Sequence, residues 1–247
     1  MLDRTEVQIV EEDYEGAVRT ARRVLRYVPK GSAPYAEAQE RLAAGLTMLQ
    51  DFEAAYEALT RALEVQPESA LLWYNRGLVS RYTMRSGQSV RDLERAVALE
   101  TTPVLTERPE EALAFSRGLA ESEMALRGPG FTLEQLIEQQ EAYQQAIELM
   151  DAEHWAEARA AFLQVIKMGD CLPQPWGNLG ACLIMQELYD EAEAALRRAL
   201  EVDPDYELAR ENLEKLPHYR QSGPLTMRIR SPFEGVEIKQ SLTFLEE

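Results

Sequence analysis

Basic residues, thiols and imidazoles are scarce in this chain, and each scarcity excludes something. Its 247 residues hold 26 Lys and Arg against 43 Asp and Glu, a formal net charge of −17. Such a surface repels phosphate backbones and anionic headgroups, so neither nucleic acid nor a membrane is expected as the main partner. The cysteines, Cys171 and Cys182, are too few for a disulfide framework and lie outside any CxxC pair, so they read as ordinary thiols of a reducing compartment. His154 and His218 stand in no HExxH arrangement and near no cysteine at metal-ligand spacing, so no metal is expected. There is no phosphate-cradling GxxxxGK(S/T) loop and no GxSxG elbow, so neither a cofactor nor a catalytic residue is expected. Acidic pairs such as Glu11-Glu12 and Glu110-Glu111 read as solvated helix faces. No apolar run reaches transmembrane length, and the first residues contain no signal-like apolar core, so a cytoplasmic protein is the expectation.

What the chain does have is 45% hydrophobic residues, ample for a core, and an internal repeat. Trp176, Leu179, Gly180, Leu183, Ala192, Leu196, Ala199 and Pro204 form its clearest copy. Shifted back by about 34 residues, the template meets Ala142, Gln145, Ala146, Leu149, Ala158, Phe162, Val165 and Asp170. Upstream, Leu42, Ala43, Leu46, Ala55, Leu59, Ala62 and Pro67 form another copy. The next has Trp73, Gly77, Leu93 and Ala96, with weak points at Arg76 and Ser89. Near the N-terminus Ala17, Ala21, Val24 and Pro29 match the second half of the unit only.

Helical spacing in the clearest copy predicts two amphipathic helices, over Trp176–Gln186 and Asp190–Glu201. Gly180 and Ala192 put minimal side chains where the helices cross, Asp190 with Glu193 is expected to cap the second helix, and Pro204 marks its exit. One such hairpin cannot bury its apolar face, so neighbours must stack. These residues resemble the tetratricopeptide repeat family over roughly four-fifths of the chain. The resemblance implies an all-α superhelical solenoid of antiparallel helix pairs.

The expected organisation has four parts. Residues 1–103 hold one partial and two full repeats, and 139–221 hold two more with a capping helix over Asp205–Leu216. Between them, 104–138 contains one helix near 109–127, striped by Ala112, Phe115, Leu119 and Leu126. Gly128-Pro129-Gly130 then breaks the chain before a helix opened by Thr132 and Gln135. This stretch is either a joint between two sub-arrays or a degenerate repeat that stacks normally. In the tail, 222–247, the alternating runs LTMRIR and VEIK suit a short β-like hairpin.

In the family, the first helix of each unit lines a concave face, where known members bind peptides. The resemblance projects Tyr74, Leu78, Arg81 and Tyr82 onto that face from one unit, Tyr143, Ile147 and Met150 from the next, and Met185 from the last. Glu37, Glu40 and Asp151 stand at the rim and would favour basic flanks on a ligand. Some members grip a peptide carboxy-terminus with lysines, arginine and asparagines. Here the corresponding places hold Glu40, Ala44, Tyr74 and Leu78, so that mode is not expected. The expectation is a non-enzymatic module that binds a peptide segment of a protein partner in a largely apolar groove. The alternative is a homo-oligomeric scaffold that self-associates through the groove or the tail.

Overall fold

Short turns and small residues organise the helices. The computed structural model describes residues 2–99 and 107–224, which form twelve helices. α1 (Leu2–Val10) pairs with α2 (Tyr14–Val24), α3 (Ala33–Met48) with α4 (Phe52–Leu63), and α5 (Ala70–Ser80) with α6 (Ser86–Leu99). After α7 (Glu107–Arg127), α8 (Leu133–Asp151) pairs with α9 (Trp155–Met168), α10 (Pro173–Met185) pairs with α11 (Tyr189–Val202), and α12 (Glu207–Ser222) follows. Each hairpin also packs on the next within its unit, through α2 and α3, α4 and α5, α9 and α10. The chain divides into two compact units within α7, the first running through Glu121 and the second starting at Ser122. No strand forms among the described residues, and the expected tail hairpin lies outside them. No helix among them is long and apolar enough to cross a membrane.

One turn recurs in every hairpin. Gln50 takes a left-handed conformation (φ 62°), and the next N–H, of Asp51, donates back to the Leu46 carbonyl at 2.9 Å. The same closure repeats with Glu12 and Asp13 to Gln8, Met84 and Arg85 to Ser80, Glu153 and His154 to Leu149, and Glu187 and Leu188 to Leu183. Each satisfies carbonyls that the helix end leaves open. The first hairpin, whose α1 has nine residues, is closed in the same way. Its α1 buries Thr5 and Gln8, not an apolar stripe, so the apolar template has nothing to match. Gln8 instead donates to Asp13 and accepts from Thr20.

Gly180 behaves as expected: a Cβ there would stand 2.7 Å from Leu196, which is fully buried. Gly77 meets Leu93 in the same way, also at 2.7 Å. Trp73 donates its indole N–H to the Pro67 carbonyl at 2.7 Å, and Trp176 donates to Asp170. The capping of α11 differs from expectation. It starts at Tyr189 after Leu188, with no side-chain cap, so Asp190 lies in its first turn and pairs with Arg220 at 2.7 Å. The carboxylate still favours the helix N-terminus through its dipole.

The weak points of the second full repeat are a polar replacement. Arg76 donates to both oxygens of the buried Asp92 at 2.7 Å, and Gln88 donates to one of them at 2.6 Å. Ser89 donates to the Gly77 carbonyl at 2.6 Å and shares a hydrogen bond with Ser116 at 2.8 Å.

α7 buries a different stripe from the one expected. Leu113, Ser116 and Ala120 face inward, while Phe115 and Leu126 are 65% and 64% exposed. Ser116 is drawn in by its hydrogen bonds to Ser89 and Arg81. The break at Gly128 (φ 105°) and Gly130 (φ 87°) and the capping box of Thr132 with Gln135 stand where expected. α12 runs beyond Leu216, through Pro217 to Ser222, because Tyr219 beyond the proline is buried as an anchor.

Candidate functional site

The first helices α3, α5 and α10 are enclosed on most sides, so little of each remains accessible. On α3 the run from Leu42 to Thr47 is buried, leaving Glu37, Glu40, Arg41 and the end of Met48. On α5 residues Asn75–Ser80 are buried, and Leu71 and Tyr74 are half-buried. Arg81 and Tyr82, at the C-terminal end of α5, are half-buried too.

The projected face therefore separates into two groups. Leu78, Tyr143 and Met150 are 6%, 5% and 1% exposed, so these three are core and not ligand-facing anchors. The Tyr143 ring packs edge-on against Phe162 at 5.9 Å, and its hydroxyl accepts from the Asn178 amide at 3.0 Å. Burial pushes this phenol well above its ordinary range. Tyr74, Arg81, Tyr82, Ile147 and Met185 keep partial access, in the first unit for the first three and in the second for the last two. Tyr82 stacks on Phe52 with ring centroids 4.7 Å apart.

Charge is unevenly placed on the first unit's face. Glu37 is exposed, and burial lifts the Glu40 carboxyl above its ordinary range against the opposing pull of Arg41. Arg41 itself pairs with Glu6 at 3.2 Å. Arg81 stands half-buried at the C-terminal end of α5. Burial pulls its guanidinium below the ordinary value.

In the second unit the periodic shift finds residues that the apolar template passed over. Asn178 recurs as Asn212, and both are buried. Asn178 has Tyr143 as partner. The place that Tyr143 takes in its own unit is taken in the next by Gly177, where a Cβ would stand 2.6 Å from the Tyr206 ring. Among the described residues Asn212 Nδ2 has no hydrogen-bond partner, and neither has Gln174 Oε1 on α10. Among the described residues no group of three or more His, Cys, Asp or Glu is placed to hold a metal ion.

Among solved structures, MamA is 17% identical, covering 81% of this chain and 94% of that one, with a TM-score of 0.36. YrrB, a TPR protein with an unusual peptide-binding site, is 17% identical over 80% of this chain and 100% of that one, at 0.35. The TPR2AB domain of yeast Sti1, in complex with pHSP90, is 16% identical over 88% and 83% of the two chains, at 0.41. No curated protein matches the chain. The tetratricopeptide repeat family matches at residues 48–81 and again at 173–206. Stacked helical hairpins closed by one recurring turn, with two stretches of sequence that fit the repeat itself, make this chain a member of the tetratricopeptide repeat family.

Proposed function

We propose that the protein is a non-enzymatic interaction module that binds a peptide segment of a partner protein along its first-helix faces. The observation that carries this reading is the set of partly accessible apolar side chains on otherwise enclosed helices, Tyr74 on α5, Ile147 on α8 and Met185 on α10. The side chains of a bound peptide would contact Ile147 and Met185 in the second unit. In the first unit, Tyr74, Arg81, Tyr82 and Met48 supply the corresponding contacts. Leu78, Tyr143 and Met150 hold the helices from beneath.

A random peptide display library panned against the full chain tests the reading. Selected peptides are expected to lose affinity at least tenfold (about 1.4 kcal/mol) on Tyr74→Ala or Met185→Ala, with the melting transition retained. Failure of a folded chain to select any peptide would overturn the proposal. A concentration-dependent dimer in sedimentation, blocked by the same substitutions, would replace it with self-association.

A further inference from the structure

Arg81 is held in place before any ligand arrives. Its Nε–H donates to the Ser116 hydroxyl at 2.8 Å and its Nη2 to the Ala112 carbonyl at 2.6 Å. Its guanidinium lies 4.9 Å from the centroid of the Phe115 ring, over its face. Ser116 is fully buried and is itself fixed. Since the Ser89 hydroxyl proton goes to the Gly77 carbonyl at 2.6 Å, the 2.8 Å bond between the two serines is donated by Ser116. A line of hydrogen bonds thus runs from Arg81 through Ser116 and Ser89 back to α5, and it fixes the plane of the guanidinium.

Among the described residues no anion stands beside this cation. Its enclosed neighbours have theirs: Arg76 pairs with Asp92, Arg85 with Glu53 and Arg41 with Glu6. Among the described residues Arg81 has no carboxylate partner, although the chain carries 43 acidic residues. Arg127 also lacks one, but it donates to Gln139 and to the Glu123 carbonyl within its own part of the fold. Arg81 has five N–H donors, of which two are used here. The partly desolvated charge is therefore offset by a ligand anion more effectively than an exposed arginine would be. Beside it, Phe115 is 65% exposed and offers an apolar surface.

We propose that Arg81, fixed by Ser116 over Phe115, is the anchor for a carboxylate of the bound segment, with an apolar side chain of that segment seated against Phe115. The inference rests on the peptide-binding reading above and adds a requirement to it: the partner segment is acidic at this point. The carboxylate can belong to an Asp or Glu side chain or to a chain terminus.

The test uses the full chain and two probes that differ in one group, N-acetyl-phenylalanine and N-acetyl-phenylalaninamide. Binding is followed at constant ionic strength on arginine Nε–H resonances, with that of Arg81 identified by its loss in Arg81→Lys. A saturable shift at Arg81, at least tenfold tighter for the acid than for the amide and weakened by Ser116→Ala with helix content unchanged, is the expected result. Equal responses to the two probes, or shifts of the same size at the other arginines, would overturn the anchor. Peptides selected on the full chain give the second arm. Loss of affinity on Glu→Gln or Asp→Asn exchange identifies a side-chain carboxylate, and loss on C-terminal amidation identifies a terminal one. Peptides indifferent to both changes refute the anchor and leave peptide binding standing. Acid-selective probe binding without any selected peptide refutes peptide binding and leaves the anchor standing.

Discussion

Burial acts on both Glu40 and Arg81 of the first unit against the charge each carries. For Glu40 the sign has a measurable effect. With its carboxyl raised by burial and by Glu37, and lowered less by Arg41, the folded protein holds the proton more tightly than the unfolded chain. The stability this lends is complete below the ordinary value of 4.5 and is lost as pH climbs through the folded value. At neutral pH the ionised group is therefore a net cost. Glu40→Gln is expected to raise the melting temperature at pH 7 and leave it unchanged at pH 4. An equal rise at both pH values would show that the gain comes from packing and not from charge.

Among helices, glycine carries opposite consequences at two positions. Within α10, Gly180 lies against Leu196, and an added Cβ would come within 2.7 Å of two of its carbons. Gly180→Ala is expected to destabilise by about 1–3 kcal/mol through overpacking. Within α7, a Cβ on Gly118 meets nothing within 4 Å. Gly118→Ala is expected to stabilise by about 0.5–1 kcal/mol through helix propensity alone. Chemical denaturation of the two variants checks both signs.

The same pair of elements explains what sequence can and cannot convey. Gly180, Ala192 and Leu196 were legible because contact between helices selects residue size at a fixed interval. So were the break at Gly128 and the cap at Thr132, since both are local. Arg76 and Ser89 were legible only as departures, because their partners Asp92 and Ser116 lie outside the apolar template. The inward side of α7 was misjudged for the same reason: a serine held by two hydrogen bonds is buried in preference to Phe115. On the candidate face, periodicity identified the right helices but not the depth of each residue. Tyr74 and Tyr143 stand at equivalent places, yet the first is half-buried and the second sealed by Phe162 and Asn178.

For the molecule as a whole, stability is a sum over neighbouring hairpins and not the property of one core. A local defect should therefore stay local. Leu196 is fully buried in α11. Leu196→Ala is expected to cost about 2–5 kcal/mol and to lower hydrogen-exchange protection in α10, α11 and α12 far more than in α3, α4 and α5. Uniform loss of protection across all six helices would instead indicate one cooperative block.

The recurring turn has a consequence of its own. Glu12, Gln50, Met84, Glu153 and Glu187 all adopt φ values between 53° and 62°, a region where a side chain is disfavoured and glycine is at ease. A conformation repeated so faithfully by residues ill-suited to it is imposed by the helices on either side, not chosen by the turn. The protein thus holds an unused reserve of thermal robustness, spread over five separate corners. Evolution or an engineer can draw on that reserve one corner at a time, raising endurance by small and separable steps.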